Sequence, residues 1–201
     1  MLLDEQIVAI ERAFLEAGIP HAFGGAQALA YYGEIRATHD IDVNVFVPAS
    51  QALRVLGVLG ALGAATSNPG LLTLIARDEQ VRVYWEATPV DLFFAYDELH
   101  RSSQTRRRRV DFFGDPIHIL SPEDLIVYKA TFDRDKDWRD IAGVIYASPE
   151  SLDLDYIRRW LGRIDARDGS RLARLERIIA SGGRDLGARV TARRSRAASR
   201  R

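Results

Sequence analysis

Two aspartates flanking a single isoleucine, Asp40-Ile41-Asp42, open a run of strand formers, Val43-Asn44-Val45-Phe46-Val47, and a glycine pair, Gly24-Gly25, precedes them. In a β-strand, residues i and i+2 leave the same face, roughly 7 Å apart along the backbone. The spacing therefore aims Asp40 and Asp42 at one point, with Ile41 and Val43 turned into the core. Two convergent carboxylates repel unless a positive charge lies between them. Mg²⁺ is the candidate, a hard cation that takes oxygen ligands and keeps room for substrate phosphates. A third acid, Asp91, interrupts a later apolar run, Val90-Asp91-Leu92-Phe93-Phe94, and can add a carboxylate to the same cluster. Gly24-Gly25 leads into a helical segment, so phosphate can approach bare backbone at a helix N-terminus. Two metal ions roughly 3.5–4 Å apart would stabilise the attacking and leaving oxygens of an in-line displacement at phosphorus.

These residues need a sheet and helices to position them. Apolar residues at Leu3, Ile7, Ile10, Phe14 and Leu15 predict a first helix over Leu2–Ala17, closed by Gly18. A short strand, His21-Ala22-Phe23, stops at the glycine pair, and a helix follows over Ala26–Tyr32. The Asp-x-Asp strand runs over Asp40–Val47, and a helix over Ser50–Leu62. Leu71–Ala76 and Val81–Trp85 read as a hairpin turning at Asp78-Glu79. Val90–Phe94 is a further strand, and Val110–Phe113 and Ile117–Leu120 flank the turn Gly114-Asp115-Pro116. After Ser121 the pattern is helical. Ser121-Pro122-Glu123 and Ser148-Pro149-Glu150 each combine a capping serine, a first-turn proline and an acid at the positive end of the dipole. Helices are expected over Leu125–Tyr146 and Tyr156–Ala180. The domains expected are an α/β part over residues 1–120, a helical part over 121–183, and a tail over 184–201.

The chain has 201 residues, 47% of them hydrophobic, enough for a sizeable core. Net charge is zero, with 28 basic against 28 acidic residues, which argues against a dedicated nucleic-acid binder. The tail is the exception: residues 184–201 hold seven arginines and a single acid, Asp185, and the composition predicts disorder. Absence of cysteine excludes a disulfide framework, a thiolate zinc site and a cysteine nucleophile. His21, His39, His100 and His118 are scattered without zinc spacing. The opening Met1-Leu2-Leu3-Asp4-Glu5 carries acids where a signal peptide carries bases, and no apolar run reaches membrane-spanning length, so a soluble, cytoplasmic protein is expected. Trp85, Trp138 and Trp160 read as core. Arg106-Arg107-Arg108-Arg109 reads as a charged guard on a sheet edge. Lysine occurs only at Lys129 and Lys136, which suggests positions that want a compact charge rather than a planar fork.

Taken in order, Gly-Gly, Asp-x-Asp and a lone Asp in a later strand resemble the nucleotidyltransferase (polymerase β-like) superfamily. The fuller pattern is similar to its minimal, AbiEii-type toxin branch. The matching stretches are Gly24-Gly25-Ala26 with Tyr32-Gly33, Arg36-x-Thr38-x-Asp40-x-Asp42, Ser121-Pro122-Glu123-Asp124-Leu125 running to Lys129, and Arg134-x-Lys136-Asp137-x-x-Asp140-Ile141.

The resemblance implies an α/β (α+β) fold, a small mixed β-sheet with flanking helices followed by a helical C-terminal region. It implies an enzyme that moves a nucleoside monophosphate from an NTP to an acceptor and releases pyrophosphate. Asp40, Asp42 and Asp91 would be the catalytic, Mg²⁺-binding carboxylates, and Asp91 would also help deprotonate the acceptor. Gly24 and Gly25 would line the triphosphate path, Arg36 would lie near phosphate or acceptor, and Lys129 would reach the phosphates. Lys136, Asp137 and Asp140 would form a second, helical motif facing the nucleotide. For Lys136 and Asp140 the i, i+4 spacing equally allows a surface ion pair worth about 0.3–0.5 kcal/mol. The acceptor implied is an RNA or tRNA end in a toxin–antitoxin setting with a cognate antitoxin partner, while a protein side chain or a small molecule is equally allowed. Many members carry serine after the glycine; here Gly25 is followed by Ala26. That departure supports an alternative, a catalytically silent member of the fold that acts as a protein-binding partner.

Overall fold

The computed structural model describes residues 1–148, 151–166 and 169–183. Helix α1 (Leu3–Glu16) forms because Ile7, Ile10 and Phe14 recur on one stripe and bury together. Asp4 and Glu5 occupy its first turn, where the Glu5 carboxylate accepts the Leu2 N–H at 2.9 Å. Gly18, at φ +62°, takes the chain out of the helix. The elements that follow are β1 (His21–Phe23), α2 (Gly25–Leu29), β2 (Ile41–Val45), a 3₁₀ turn (Ala49–Gln51) and α3 (Ala52–Ala61). Then come α4 (Gly70–Asp78), β3 (Gln80–Trp85), β4 (Thr88–Phe94), α5 (Glu98–Arg106), β5 (Arg108–Phe112) and β6 (Asp115–Ile119).

The six strands form one mixed sheet in the order β3-β4-β2-β1-β6-β5. β2 runs parallel to β4 and antiparallel to β1, while β1 runs parallel to β6. Two antiparallel hairpins close the edges, β3–β4 and β5–β6. Alternation decides which side chains are interior: Ile41, Val43, Val81, Val83, Val90 and Leu92 are all buried. Helix α1 packs on β6 and α3, and α4 packs on β3.

Two expectations are corrected here. Leu71–Ala76 is helical, inside α4, and not the first strand of a hairpin. Leu71 and Ile75 are buried while Leu72 and Leu74 are exposed, a four-residue spacing that suits a helix and that a short apolar run easily conceals. Asp78-Glu79 therefore ends α4, with Glu79 in the left-handed region at φ +54°. The hairpin turns instead at Glu86-Ala87, between Trp85 and Thr88, with Glu86 at φ +55°. Helix α5 has no apolar stripe to announce it; Asp97 caps it by accepting the His100 N–H at 3.2 Å.

The chain divides into two compact units, Met1–Ala28 with Arg36–Ser121, and Leu29–Ile35 with the residues from Pro122 onward. The second unit is built from α6 (Pro122–Phe132), α7 (Asp135–Ala147), α8 (Leu154–Ile164) and α9 (Ser170–Ala180). Helix α6 is buried on almost every side, so its acids work as internal acceptors. Asp124 accepts the Tyr156 hydroxyl at 2.6 Å, and Glu123 accepts the Asp153 N–H at 3.2 Å. The helix expected over Tyr156–Ala180 is broken at Asp165, whose carboxylate accepts the Arg171 N–H at 2.7 Å. Trp85 and Trp138 are core, but Trp160 is half-buried, with the Arg163 guanidinium 4.9 Å above its ring. The expected helix start at Pro149-Glu150 and the arginine-rich segment 184–201 lie outside the described residues. No described helix is long and apolar enough to cross a membrane.

Candidate active site

The β2–β4 pairing builds the site. The two strands are parallel, and Asp42 is the direct register partner of Asp91. Parallel partners in register project from the same face, so the two carboxylates leave the sheet side by side. Their neighbours Ile41, Val43, Val90 and Leu92 are fully buried on the opposite face, which fixes this orientation. Asp40 stands one residue before β2. Its backbone carbonyl accepts Gln27 Nε2 at 2.8 Å, and its Oδ1 accepts the Thr38 hydroxyl.

The glycine pair lies against Asp42. The Gly24 N–H donates to the Asp42 carbonyl at 2.9 Å, which ties the glycine turn to the acidic strand. A Cβ at Gly25 would sit 1.7 Å from Asp42 Oδ2, and Gly25 has φ +48°. A side chain there would have to displace the Asp42 carboxylate and adopt a strained φ, so a serine in that place is disfavoured. α2 is only five residues long and largely buried, and its macrodipole is correspondingly slight; what it offers is the side-chain-free main chain of half-buried Gly25 at its start. It also carries Gln27, whose buried Oε1 has no hydrogen-bond partner beside the Asp40 main chain.

Arg82 completes this face and was not foreseen from sequence. It is the antiparallel register partner of Asp91, and its Nε and Nη2 donate to the two Asp91 oxygens at 2.7 and 2.6 Å. Hydrogen bonding first, and charge second, raise the guanidinium above its ordinary pKa. The signal was present in the sequence: Arg82 lies between Val81 and Val83, and Asp91 between Val90 and Leu92, so opposite charges share one face of the hairpin once its turn is placed at Glu86-Ala87. Among the described residues, no three His, Cys, Asp or Glu gather as metal ligands. Arg36 is exposed in the connection before β2, and His39 is exposed as well.

The second unit holds the remaining expected residues. Lys129 is buried, and its Nζ donates to Asp140 at 2.7 Å and lies 4.0 Å from Asp137. Asp137 is itself buried and accepts Arg134 Nε at 2.6 Å. Here the compact ammonium occupies a closed ion-pair cluster, and Asp140 pairs with Lys129 in preference to its helical neighbour Lys136, which is exposed. Two surface clefts elsewhere, one between α1 and Phe112-Phe113 and one between α3 and Thr66–Leu72, contain none of these residues.

A candidate nucleotidyltransferase from H. pylori is similar to this chain with a TM-score of 0.50 at 16% identity, over 92% of this chain and 90% of that one. The chain has the nucleotidyltransferase fold. Two structures of ANT(2'')-Ia are also similar at 16% identity and a TM-score of 0.48. The solution structure of this antibiotic-resistance factor covers 98% of this chain and 100% of that one. Its crystal structure with adenylyl-2''-tobramycin covers 89% and 95%. No family model and no curated protein matches the sequence. On this nucleotidyltransferase fold, the donor chemistry suits a hard divalent cation: the carboxylate oxygens of Asp42 and Asp91, and, beside the Asp40 main chain, an orphaned amide oxygen at Gln27.

Proposed function

We propose that this protein is a Mg²⁺-dependent nucleotidyltransferase that moves a nucleoside monophosphate from an NTP to an acceptor. The observation that carries the reading is the in-register pairing of Asp42 with Asp91 beside a glycine turn packed against the Asp42 carboxylate. Asp40, Asp42 and Asp91 would hold the divalent ions, most simply two of them. Bound there, the metal supplies charge neutralisation for the triphosphate and for the developing pentacovalent phosphorus. Gly24 and Gly25 leave the triphosphate a close approach to backbone. Asp91 takes the proton of the acceptor hydroxyl as its oxygen bonds the α-phosphorus, while the bond from that phosphorus to the bridging oxygen breaks and pyrophosphate leaves. Lys129 is already committed to Asp140, so the phosphate role is assigned to the glycine turn.

Three acceptor classes fit: an RNA or tRNA end in a toxin–antitoxin context, a protein side chain, or a small molecule carrying a hydroxyl. Incubation with each labelled NTP and Mg²⁺ against cellular RNA, a protein lysate and a small-molecule extract reads the acceptor directly. The expected result is label transfer that requires Mg²⁺ and disappears in Asp42→Ala. The engagement of both Asp91 oxygens by Arg82 favours a second reading, a silent member of the fold acting through protein binding; failure to label any fraction would support it.

A further inference from the structure

Asp91 has two register neighbours of opposite character, Asp42 on β2 and Arg82 on β3. Its carboxylate is turned wholly to the base, with both oxygens in the guanidinium fork. A fork and a divalent cation need the same lone pairs, so they compete for this side chain. Arg82 is placed to yield: its side chain is 50% exposed, against 17% for Asp91, and β3 is an edge strand of the sheet, paired on one side only among the described residues. We infer that Arg82 is a positioning residue that latches the third carboxylate away from Asp42, and that arrival of the divalent metal opens the latch. The inference rests on the proposed nucleotidyl-transfer site and adds to it a residue that controls its metal occupancy. In the latched state Asp91 neither binds metal nor accepts the acceptor's proton, so the site is held off until it is loaded.

Mn²⁺ binding to the full chain without nucleotide, followed by electron paramagnetic resonance, tests this without relying on turnover. Replacing a half-exposed side chain on an edge strand leaves the fold intact, so Arg82→Gln is a usable variant. Removing an ion pair of this exposure should tighten Mn²⁺ about five-fold. Arg82→Lys, a single point charge in place of the fork, should fall between wild type and Arg82→Gln. Asp42→Asn should lose most of the binding. If Arg82→Gln binds Mn²⁺ no more tightly than wild type while Asp42→Asn weakens it, the latch is overturned and the metal site stands. If Asp42→Asn binds as wild type does, the site itself falls, and the latch with it.

Discussion

Glu11 and Asp91 are both carboxylates held by bases in the sheet unit, and their surroundings are opposite. Glu11 is 2% exposed and accepts three hydrogen bonds: from His21 Nε2 at 2.9 Å, from His118 Nδ1 at 2.6 Å and from the His118 N–H at 3.0 Å. His21 is equally buried, and its other nitrogen faces the Ile19 carbonyl at 2.9 Å. Every oxygen of that cluster is committed inside the protein. Asp91 instead has one partner, reachable from solvent, and a second acid as its other neighbour. The closed cluster holds α1 to β1 and β6, whereas the open one can exchange its partner for a ligand. Both contain acids and bases within hydrogen-bond reach, so pairing alone does not mark a site; an exchangeable partner beside bare backbone does.

The contrast can be broken most forcefully at Asp42. Asp42→Ala should lower nucleotidyl transfer about a thousand-fold by removing charge stabilisation at the reacting phosphate, while the denaturation midpoint barely moves. Glu11→Gln should do the reverse. It leaves the buried His21 and half-buried His118 nitrogens without their carboxylate acceptor and should cost about 1–3 kcal/mol in urea unfolding, with activity per folded molecule retained. The same cluster sets an acid limit. Burial pushes the Glu11 carboxyl up, but the hydrogen bond and charge of His21, with the hydrogen bonds from His118, bring it from 4.5 down to about 2. A folded value below the unfolded one stabilises the native state fully above about pH 4.5, and the gain is lost as pH falls toward 2. Unfolding followed from pH 5 to pH 2 should therefore lose about 3 kcal/mol through this carboxylate, and Glu11→Gln should not show that part of the decline. Glycine substitutions sharpen the comparison with smaller effects. Gly25→Ala drives a Cβ against Asp42 Oδ2 at φ +48° and should cost about 1–3 kcal/mol together with transfer activity. Gly57→Ala, inside α3 with nothing near its Cβ position, should stabilise by up to about 1 kcal/mol.

The acidic strand was legible because its chemistry is local. In Asp40-Ile41-Asp42-Val43 the alternation alone assigns acids to one face and apolar residues to the other. The glycine pair was legible for the same reason, although its use was not: Gly25 is bare because Asp42 occupies the space, a contact between separate elements. What failed were elements whose identity depends on partners. Leu71-Leu72-Thr73-Leu74-Ile75-Ala76 supports either period over so few residues, and only its packing on β3 and α3 makes it helical. Reading that segment as a strand places the turn at Asp78-Glu79 instead of Glu86-Ala87 and so hides the pairing of Arg82 with Asp91. His21 and His118 read as scattered, and Glu11 carried no signal, because α1, β1 and β6 meet only in the folded sheet. The lysine bias was real, but its destination for Lys129 is an internal pair with Asp140.

Isothermal titration of the wild-type chain and Asp42→Ala with NTP, each with and without Mg²⁺, tests the central claim most directly. The carboxylate face predicts binding that appears only with Mg²⁺ and is absent from Asp42→Ala under every condition. Equal NTP affinity with and without the metal, or full affinity in Asp42→Ala, would contradict it.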